Sequence, residues 1–121
     1  MEPIKITLKG TPQSVNHCYK TMCRGSFPTR YMTPKAKTLK EDYQWQIKQQ
    51  YKGLIHTNPL KVKMKLYMKT HRKSDIDNFN KITFDSLTGL IWEDDSQIED
   101  LNIQKFVDKE NPRIELEIRR M

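Results

Sequence analysis

Alternating apolar and polar residues predict the strands of this chain. Residues 4–9 (IKITLK) have the period-two pattern of a half-buried strand. Residues 61–69 alternate most clearly, with four lysines on one face and four apolar side chains on the other. Two more strands are predicted at 98–107, where Lys105 interrupts the apolar face and suggests a bulge, and at 113–119.

The segments between these strands predict two helices and one long loop. Thr11 to Met32 shows no period, so we expect a loop of about twenty residues that contacts the substrate. An apolar stripe from Leu39 to Tyr51 predicts a helix that starts at the Thr33–Pro34 pair and runs to Lys52. A second helix is predicted from Asn78 to about Leu87, with Asp77 as its cap.

The length of 121 residues suits one hydrophobic core. Together with the predicted elements, it indicates a single α+β domain over residues 1–121, with a mixed sheet of about four strands and two main helices packed on it. The sequence has no apolar run long enough for a membrane helix and no signal-peptide core, so we expect a cytoplasmic protein without membrane contact. Cys18 and Cys23 lie near His17 but have no fourth zinc ligand with suitable spacing, and their role stays open.

Charge is distributed unevenly along the chain. Residues 1–73 hold 16 Lys and Arg against 3 Asp and Glu, whereas residues 74–121 hold 6 against 12. A basic surface attracts a polyanion, but the acidic part repels it unless cations neutralise the carboxylates. This asymmetry points to a metal-using enzyme of nucleic acids; the alternative is that the lysines only solvate one face.

Asp75 and Asp77 are the first candidate metal ligands. In extended backbone the side chains of residues i and i+2 point to the same side, so two carboxylates face one point, an arrangement that a cation such as Mg²⁺ relieves. The structural alternative is a turn with a helix N-cap. An EF-hand loop is excluded because Phe79, Asn80 and Ser86 occupy positions where calcium ligands and glycine are required.

Lys81 and a second acidic segment extend this candidate site. Lys81 follows Asp77 by four residues, so a helix directs it toward the carboxylates, where it could hold a phosphate or stabilise transition-state charge. Its alternative role is an ordinary ion pair with Asp85. The segment 92–95 (WEDD) could complete a three-carboxylate site if the fold brings it beside Asp75, and is otherwise a solvated turn.

Three segments resemble the RusA-type Holliday junction resolvases, small endonucleases of phage and prophage origin. Residues 72–81 (RKSDIDNFNK) are similar to that family's basic run followed by Asp-x-Asp-Asn-x-x-Lys. Residues 92–97 (WEDDSQ) are similar to its Trp-x-Asp-Asp element, and residues 12–16 (PQSVN) with Tyr19 to its Pro-x-Ser-x-Asn segment. The resemblance extends over nearly the whole chain. It departs at Ser74 and at His17-Cys18, where relatives often carry basic or aromatic residues.

The resemblance implies a metal-dependent endodeoxyribonuclease that resolves four-way DNA junctions by paired nicks with 5′-phosphate ends, in recombination and repair. Asp75, Asp77 and Asp95 are then expected to bind Mg²⁺ or Mn²⁺, with Lys81 as the fourth catalytic residue, while the role of Asp94 stays open. A four-way junction has two equivalent strands to cut, whereas each chain has one acidic cluster. A homodimer is therefore expected. The location implied is the nucleoid of a bacterial or phage-infected cell.

Basic and polar side chains are predicted to bind backbone phosphates without reading sequence. These residues are Asn16, Arg24, Arg30, Lys61, Lys63, Lys65, Lys69, Arg72 and Lys73. For the lysine-bearing strand, the alternative is a charged sheet edge that prevents aggregation. Trp45 and Phe106 are possible dimer contacts. The competing functions are a non-catalytic branched-DNA-binding protein and a nuclease acting on flaps or linear duplex.

Overall fold

The computed structural model describes the backbone of residues 3–13, 19–24, 27–71 and 80–121, and the side chains of residues 3–13, 33–71 and 81–121. It confirms the α+β class. In chain order the elements are β1 (Ile4–Lys9), β2 (Tyr19–Arg24), β3 (Phe27–Met32), α1 (Pro34–Gln50), β4 (Leu60–Met68), α2 (Asn80–Leu87), β5 (Ile98–Val107) and β6 (Arg113–Arg120). A short 3-10 turn, Asp95–Gln97, precedes β5.

The main sheet has four strands in the order β1-β6-β4-β5. Only β4 and β5 are parallel, which makes the sheet mixed as predicted. One face of the sheet carries the alternating apolar residues of β1, β4 and β6, and both helices contribute side chains to the core on that face. The opposite face carries the polar residues of the same strands, so the sheet has a helix-covered face and an open face.

Helix α1 begins and ends close to the predicted positions. The Thr33 hydroxyl accepts a hydrogen bond from the Ala36 N–H, Pro34 occupies the first turn, and Tyr43 and Ile47 are buried. The helix ends at Gln50 rather than Lys52, because Tyr51 has extended backbone at the C-cap.

Two glutamines of α1 protect the free edge of β1. Gln50 accepts from the Thr7 N–H at 2.8 Å and donates to the Thr7 carbonyl at 2.7 Å, and Gln46 accepts from the Lys9 N–H at 2.8 Å. These side-chain amides make hydrogen bonds that a neighbouring strand would otherwise make to this edge. The edge of the sheet at β1 is therefore covered, whereas the edge at β5 has no such cover among the described residues.

Three sequence-based expectations need correction. The predicted loop of residues 11–32 contains the strands β2 and β3, which pair with each other in a separate two-stranded sheet. The lysine-bearing strand β4 is not an edge, because it pairs with β5 on one side and β6 on the other. The bulge of β5 lies at its start, where Leu60 pairs with Ile98 and Lys61 with Asp100, and not at Lys105.

Among the described residues, no helix is both long enough and apolar enough to cross a membrane.

Candidate active site

The turn that follows α2 is anchored by Trp92. Its indole ring is fully buried, meets Phe84 edge-on at 5.7 Å, and donates through Nε1 to the Thr88 hydroxyl at 3.0 Å. Gly89, with φ of +86°, turns the chain so that its N–H donates to the Trp92 carbonyl at 2.7 Å. Residues 93–95 therefore follow directly from a residue that is fixed in the core beside α2.

Gln97 fixes the far end of the same turn. Its Oε1 accepts from the N–H groups of Glu93 and Asp94 at 2.9 and 2.8 Å, and its Nε2 donates to the carbonyls of His56 and Asn58 at 2.9 and 3.0 Å. With the Asp94 carboxylate accepting from the Ser96 N–H, this forms a capping box. The acidic segment is therefore an exposed turn whose backbone is held in place by hydrogen bonds.

Asp94 and Asp95 share a hydrogen bond between their side chains and titrate unequally. The Ser96 backbone N–H, followed by the Asp95 side chain, lowers the pKa of Asp94. Partial burial raises the pKa of Asp95, and the hydrogen bond that its protonated form donates to Asp94 and the negative charges of Asp94 and Asp85 raise it further. Asp95 is therefore a carboxyl group crowded by like charges, the environment that a bound cation relieves.

Lys81 and Asp85 lie on the outward side of α2, next to this turn. The Lys81 Nζ is 3.4 Å from Asp85 Oδ2, so the predicted alternative, an ion pair one helical turn apart, is present. The positive charge of Lys81 also lowers the pKa of Asp95, against the stronger opposing effects. The fold thus brings Lys81, Asp85 and Asp95 into one electrostatic neighbourhood, although Lys81 and Asp95 are separated by 13 residues.

Several predicted site residues lie outside the described residues. Asp75, Asp77, Arg72 and Lys73 fall in residues 72–79, and Asn16 falls in residues 14–18. The zinc alternative at His17, Cys18 and Cys23 lies outside the described side chains too. Arg24 and Arg30 lie on β2 and β3, where only the backbone is described. Within the described ranges, no three His, Cys, Asp or Glu side chains form a group able to hold a metal ion.

The lysines of β4 project from the open face of the sheet. The helices, including α2 with Lys81, lie on the opposite face. Lys61 pairs with Asp100 at 3.6 Å. The sheet register places Lys63 beside Glu117 and Lys65 beside Glu115 on β6. A shallow groove of about 340 Å³ on this face is lined by both lysines and both glutamates. Lys69 is exposed just beyond the end of β4.

Two contributions to the site were not predicted from the sequence. The sequence indicates Asp85 only as a partner of Lys81, although its charge also acts on Asp95. The bridging role of Gln97 was missed, although a glutamine three residues after Asp94 is the sequence signal of a capping box.

Comparisons with known proteins identify a family that this chain matches. The family described as Endodeoxyribonuclease RusA matches residues 9–119. The crossover junction endodeoxyribonucleases RusA of Enterobacteria phage 82 and of Escherichia coli K12 are each 36% identical over 64 residues, which is 52% of this chain and 53% of theirs. The chain therefore spans about half the length of these relatives. YqaN of Bacillus subtilis 168, described as uncharacterized, is 29% identical over 98% of this chain and 97% of its own.

The family match includes the acidic turn, Lys81 and the Asp75–Asp77 segment, and it covers far more than half of the sequence. This chain belongs to the RusA endodeoxyribonuclease family.

Proposed function

We propose that this protein is a divalent-metal-dependent endodeoxyribonuclease that resolves four-way DNA junctions by paired nicks, acting in recombination and repair. The observation that carries the proposal is the acidic turn after α2, where the charges of Lys81 and Asp85, paired at 3.4 Å on the helix, act on Asp95. This turn is held on both sides by buried Trp92 and by the four hydrogen bonds of Gln97. Family membership and the names of the RusA relatives support the same activity.

We further propose that Asp75, Asp77 and Asp95 hold Mg²⁺ or Mn²⁺. The donor set fits a hard cation, because carboxylate oxygens are the ligands that Mg²⁺ prefers and because Asp95 is crowded by two other carboxylates. When bound, such an ion activates water and neutralises charge on the phosphate and the leaving oxygen.

The side chains of this chain then have separate tasks. The Lys81 ammonium binds a non-bridging oxygen of the scissile phosphate and stabilises the charge that develops there. The Asp94 carboxylate accepts the Ser96 N–H and so keeps the turn closed while Asp95 faces the phosphate. Phosphate contacts from Arg72, Lys73, Lys69, Asn16, Arg24 and Arg30 supply most of the affinity. The junction is selected by its branched shape.

A homodimer is proposed through the β5 edge. The β1 edge is covered by Gln46 and Gln50, whereas the edge strand β5 exposes Leu101, Phe106 and Val107 to between 36% and 41%. A strand that has no cover in the described part of the chain and exposes apolar side chains is a template for pairing with a second copy. Light scattering of the wild type should give twice the chain mass, and Leu101→Asp should give the monomer; a wild type that is monomeric at micromolar concentration would contradict the proposal.

Cleavage of labelled DNA tests the function. Four-way junction, flap and linear duplex of matched sequence are incubated with the protein and Mg²⁺ in one salt condition. We expect paired nicks in the junction and slow or no cleavage of the others. Equal rates on all three would indicate a general nuclease, and binding of the junction without nicks across several divalent metals would indicate a DNA-binding protein. Either result would overturn the resolvase proposal.

A further inference from the structure

Leu54 and Ile55, in the loop between α1 and β4, expose apolar side chains to solvent. Leu54 is 86% exposed and Ile55 is 49% exposed. Tyr51, three residues before Leu54, packs against the hydrophobic core, whereas these two residues point away from it. Single exposed apolar residues are common on protein surfaces, but two in succession form one apolar surface. We call this pair the apolar tip.

The Tyr51 side chain holds the backbone of the apolar tip in place. Its hydroxyl donates to the Leu54 carbonyl. Because a hydroxyl has one proton, the 3.2 Å contact between this oxygen and His56 Nε2 requires the histidine N–H to donate. A Cβ on Gly53 would come within 2.7 Å of the Tyr51 hydroxyl oxygen, so the ring lies directly against the glycine. The tip is therefore held by a residue that itself packs on the core.

The other end of the apolar tip is joined to the acidic turn. His56 follows the tip; its N–H donates to the Ile91 carbonyl at 2.8 Å, and its carbonyl accepts from the Glu93 N–H at 3.2 Å. Gln97 Nε2 donates to the same carbonyl at 2.9 Å. Successive Cα atoms are about 3.8 Å apart, so the tip begins within about 15 Å of Glu93, a length of about four base steps of DNA. A DNA strand with a phosphate at the acidic turn is therefore within reach of the tip.

The charge along the chain around the apolar tip suits DNA. No Asp or Glu occurs from residue 43 to residue 74, whereas Lys48 and Lys52 are exposed just before the tip. The carboxylates of the acidic turn are offset by the proposed metal ion. Ammonium groups bind phosphates, and apolar side chains enter between bases. A purely apolar partner would leave the two lysines unmatched, so DNA is the partner that fits both features.

Insertion of an apolar side chain distinguishes a branch point from a continuous duplex. In a duplex, the side chain must separate two stacked base pairs, which opposes insertion. At the centre of a four-way junction each arm ends, so the last base pairs are more easily unstacked. The free energy gained when the side chain leaves water is the same in both cases. An apolar tip therefore favours the junction without reading its sequence.

We propose that Leu54 and Ile55 form a wedge that enters the branch point of a four-way junction and packs against the unstacked bases there. The inference rests on the proposed function, because it takes the junction as the substrate. It assigns the preference for branched DNA to two side chains, whereas phosphate contacts supply affinity that is common to all DNA. Tyr51 is the positioning residue that holds the wedge.

The test uses a four-way junction with 2-aminopurine beside the branch point, and a duplex of matched sequence with the same label. The fluorescence of this base analogue rises when it unstacks. Fluorescence and affinity are measured in Ca²⁺, and cleavage is measured separately in Mg²⁺. The variants are Leu54→Ser with Ile55→Ser, the apolar double variant Leu54→Met with Ile55→Leu, and Tyr51→Phe. The matched control is Met121→Ser, which removes another apolar side chain, 59% exposed. Thermal unfolding checks that each variant folds.

The wild type should raise the fluorescence of the junction at least about twofold and leave that of the duplex unchanged. The double serine variant should lose this rise and bind the junction about 10-fold more weakly, because the wedge loses most of its apolar area. Its duplex affinity and salt dependence should stay at wild-type values, since no charge is removed. The apolar double variant and Met121→Ser should behave like the wild type. Tyr51→Phe should lose part of the rise, because the wedge is held less firmly.

Three results would overturn the wedge. Wild-type fluorescence and affinity in the double serine variant would show that the tip does not enter the junction. An equal loss of affinity for junction and duplex would make the tip a general DNA contact. Light scattering that finds a dimeric wild type but a monomeric double serine variant would make it a subunit contact. Cleavage in Mg²⁺ tests the proposed function separately: a wild type that unstacks the junction without cutting it would overturn that function and support the wedge.

Discussion

Charged side chains are arranged in opposite ways on the open face of the sheet and at the turn after α2. On the open face, the cations lie next to carboxylates: Arg113 contacts Asp108 and Glu115 at 2.8 and 2.7 Å, and Arg119 contacts Glu117 at 2.8 Å. At the turn, among the residues that the structure describes, Asp95 is crowded by two other carboxylates and has one cation nearby.

The pKa directions express this difference. The Arg113 side chain lowers the pKa of Asp108, and the Arg119 side chain lowers the pKa of Glu117, so these carboxylates stabilise the fold when ionised. Burial and like charges raise the pKa of Asp95, so its ionised form is unfavourable in the fold. Like charges that are held together at a cost in stability are typical of functional sites, whereas paired charges on a sheet surface are typical of a scaffold.

The largest expected effect comes from removing the anchor of the acidic turn. Trp92→Ala should destabilise the protein by about 3–5 kcal/mol, since it deletes a fully buried indole. Chemical denaturation measures this loss. Trp92→Phe keeps a smaller aromatic ring but removes the hydrogen bond to Thr88, and should cost at least about 1 kcal/mol while slowing cleavage.

The control for this comparison is Trp45, whose side chain is 63% exposed on α1. Trp45→Ala should change stability by less than about 0.5 kcal/mol. If Trp92→Phe cleaved DNA at the wild-type rate despite its altered turn, the positioning of Asp95 by Trp92 would be wrong.

The next largest effect is a change in stability at Asp95, which should depend on metal, unlike the stability contributed by the ion-paired carboxylates of the open face. Without divalent ions, Asp95→Asn should raise the melting temperature slightly at pH 7, because a carboxyl with a raised pKa loses stability as pH rises through that pKa. The difference should vanish below about pH 4, where the aspartate is protonated.

Mg²⁺ should reverse the order of stability. An ion at 100 times its dissociation constant stabilises the wild type by about 2.7 kcal/mol, whereas a variant that has lost a ligand gains less. Differential scanning fluorimetry with and without Mg²⁺ measures both effects. Equal Mg²⁺ shifts in the wild type and in Asp95→Asn would remove Asp95 from the metal site.

A smaller effect with the opposite pH dependence is expected at Asp108. Because Arg113 lowers its folded pKa, the stability it contributes is present above the unfolded pKa and is lost as pH falls through the folded value. Asp108→Asn should therefore lower the melting temperature slightly at pH 7, and the difference should shrink once the pH falls below the ordinary aspartate pKa of about 3.9. Asp100→Asn, which removes only the longer contact to Lys61, should have less effect. A deficit of Asp108→Asn that persists at low pH would contradict the ion-pair explanation.

The smallest effect concerns DNA binding by the lysines of β4. Their carboxylate neighbours and their position opposite the helices predict that replacing Lys61, Lys63 and Lys65 by alanine leaves junction affinity within about threefold. The dependence of log affinity on log salt should keep its slope. If the slope fell by about 3, one for each lysine, this face would be part of the DNA path.

The sequence predicted the parts of the fold that depend on local periodicity. The alternation of apolar residues located β1, β4 and β6, because one buried face imposes a period of two. It did not reveal β2 and β3, which pair only with each other and lie outside the main sheet. Nor did it show that β4 lies inside the sheet. A lysine at every second position is compatible with an edge strand and also with a central strand of a sheet that has one face open to solvent.

For the site, the residue types were predictable, but part of their arrangement was not. The motif predicted Lys81 and Asp95, whereas their proximity depends on how Trp92 packs against Phe84, a contact between elements. The involvement of Asp85 with Asp95 arises in the same way, from the placement of the turn beside α2.

If the crowded Asp95 carboxylate takes part in catalysis, replacing it must slow cleavage without weakening DNA binding. The most direct test compares single-turnover cleavage of a four-way junction in Mg²⁺ by the wild type and by Asp95→Asn, together with junction affinity. We predict that the variant binds within a few fold of the wild type and cleaves at least about 10³-fold more slowly, since it loses a ligand of the catalytic ion. A variant that cuts the junction at the wild-type rate would contradict the account.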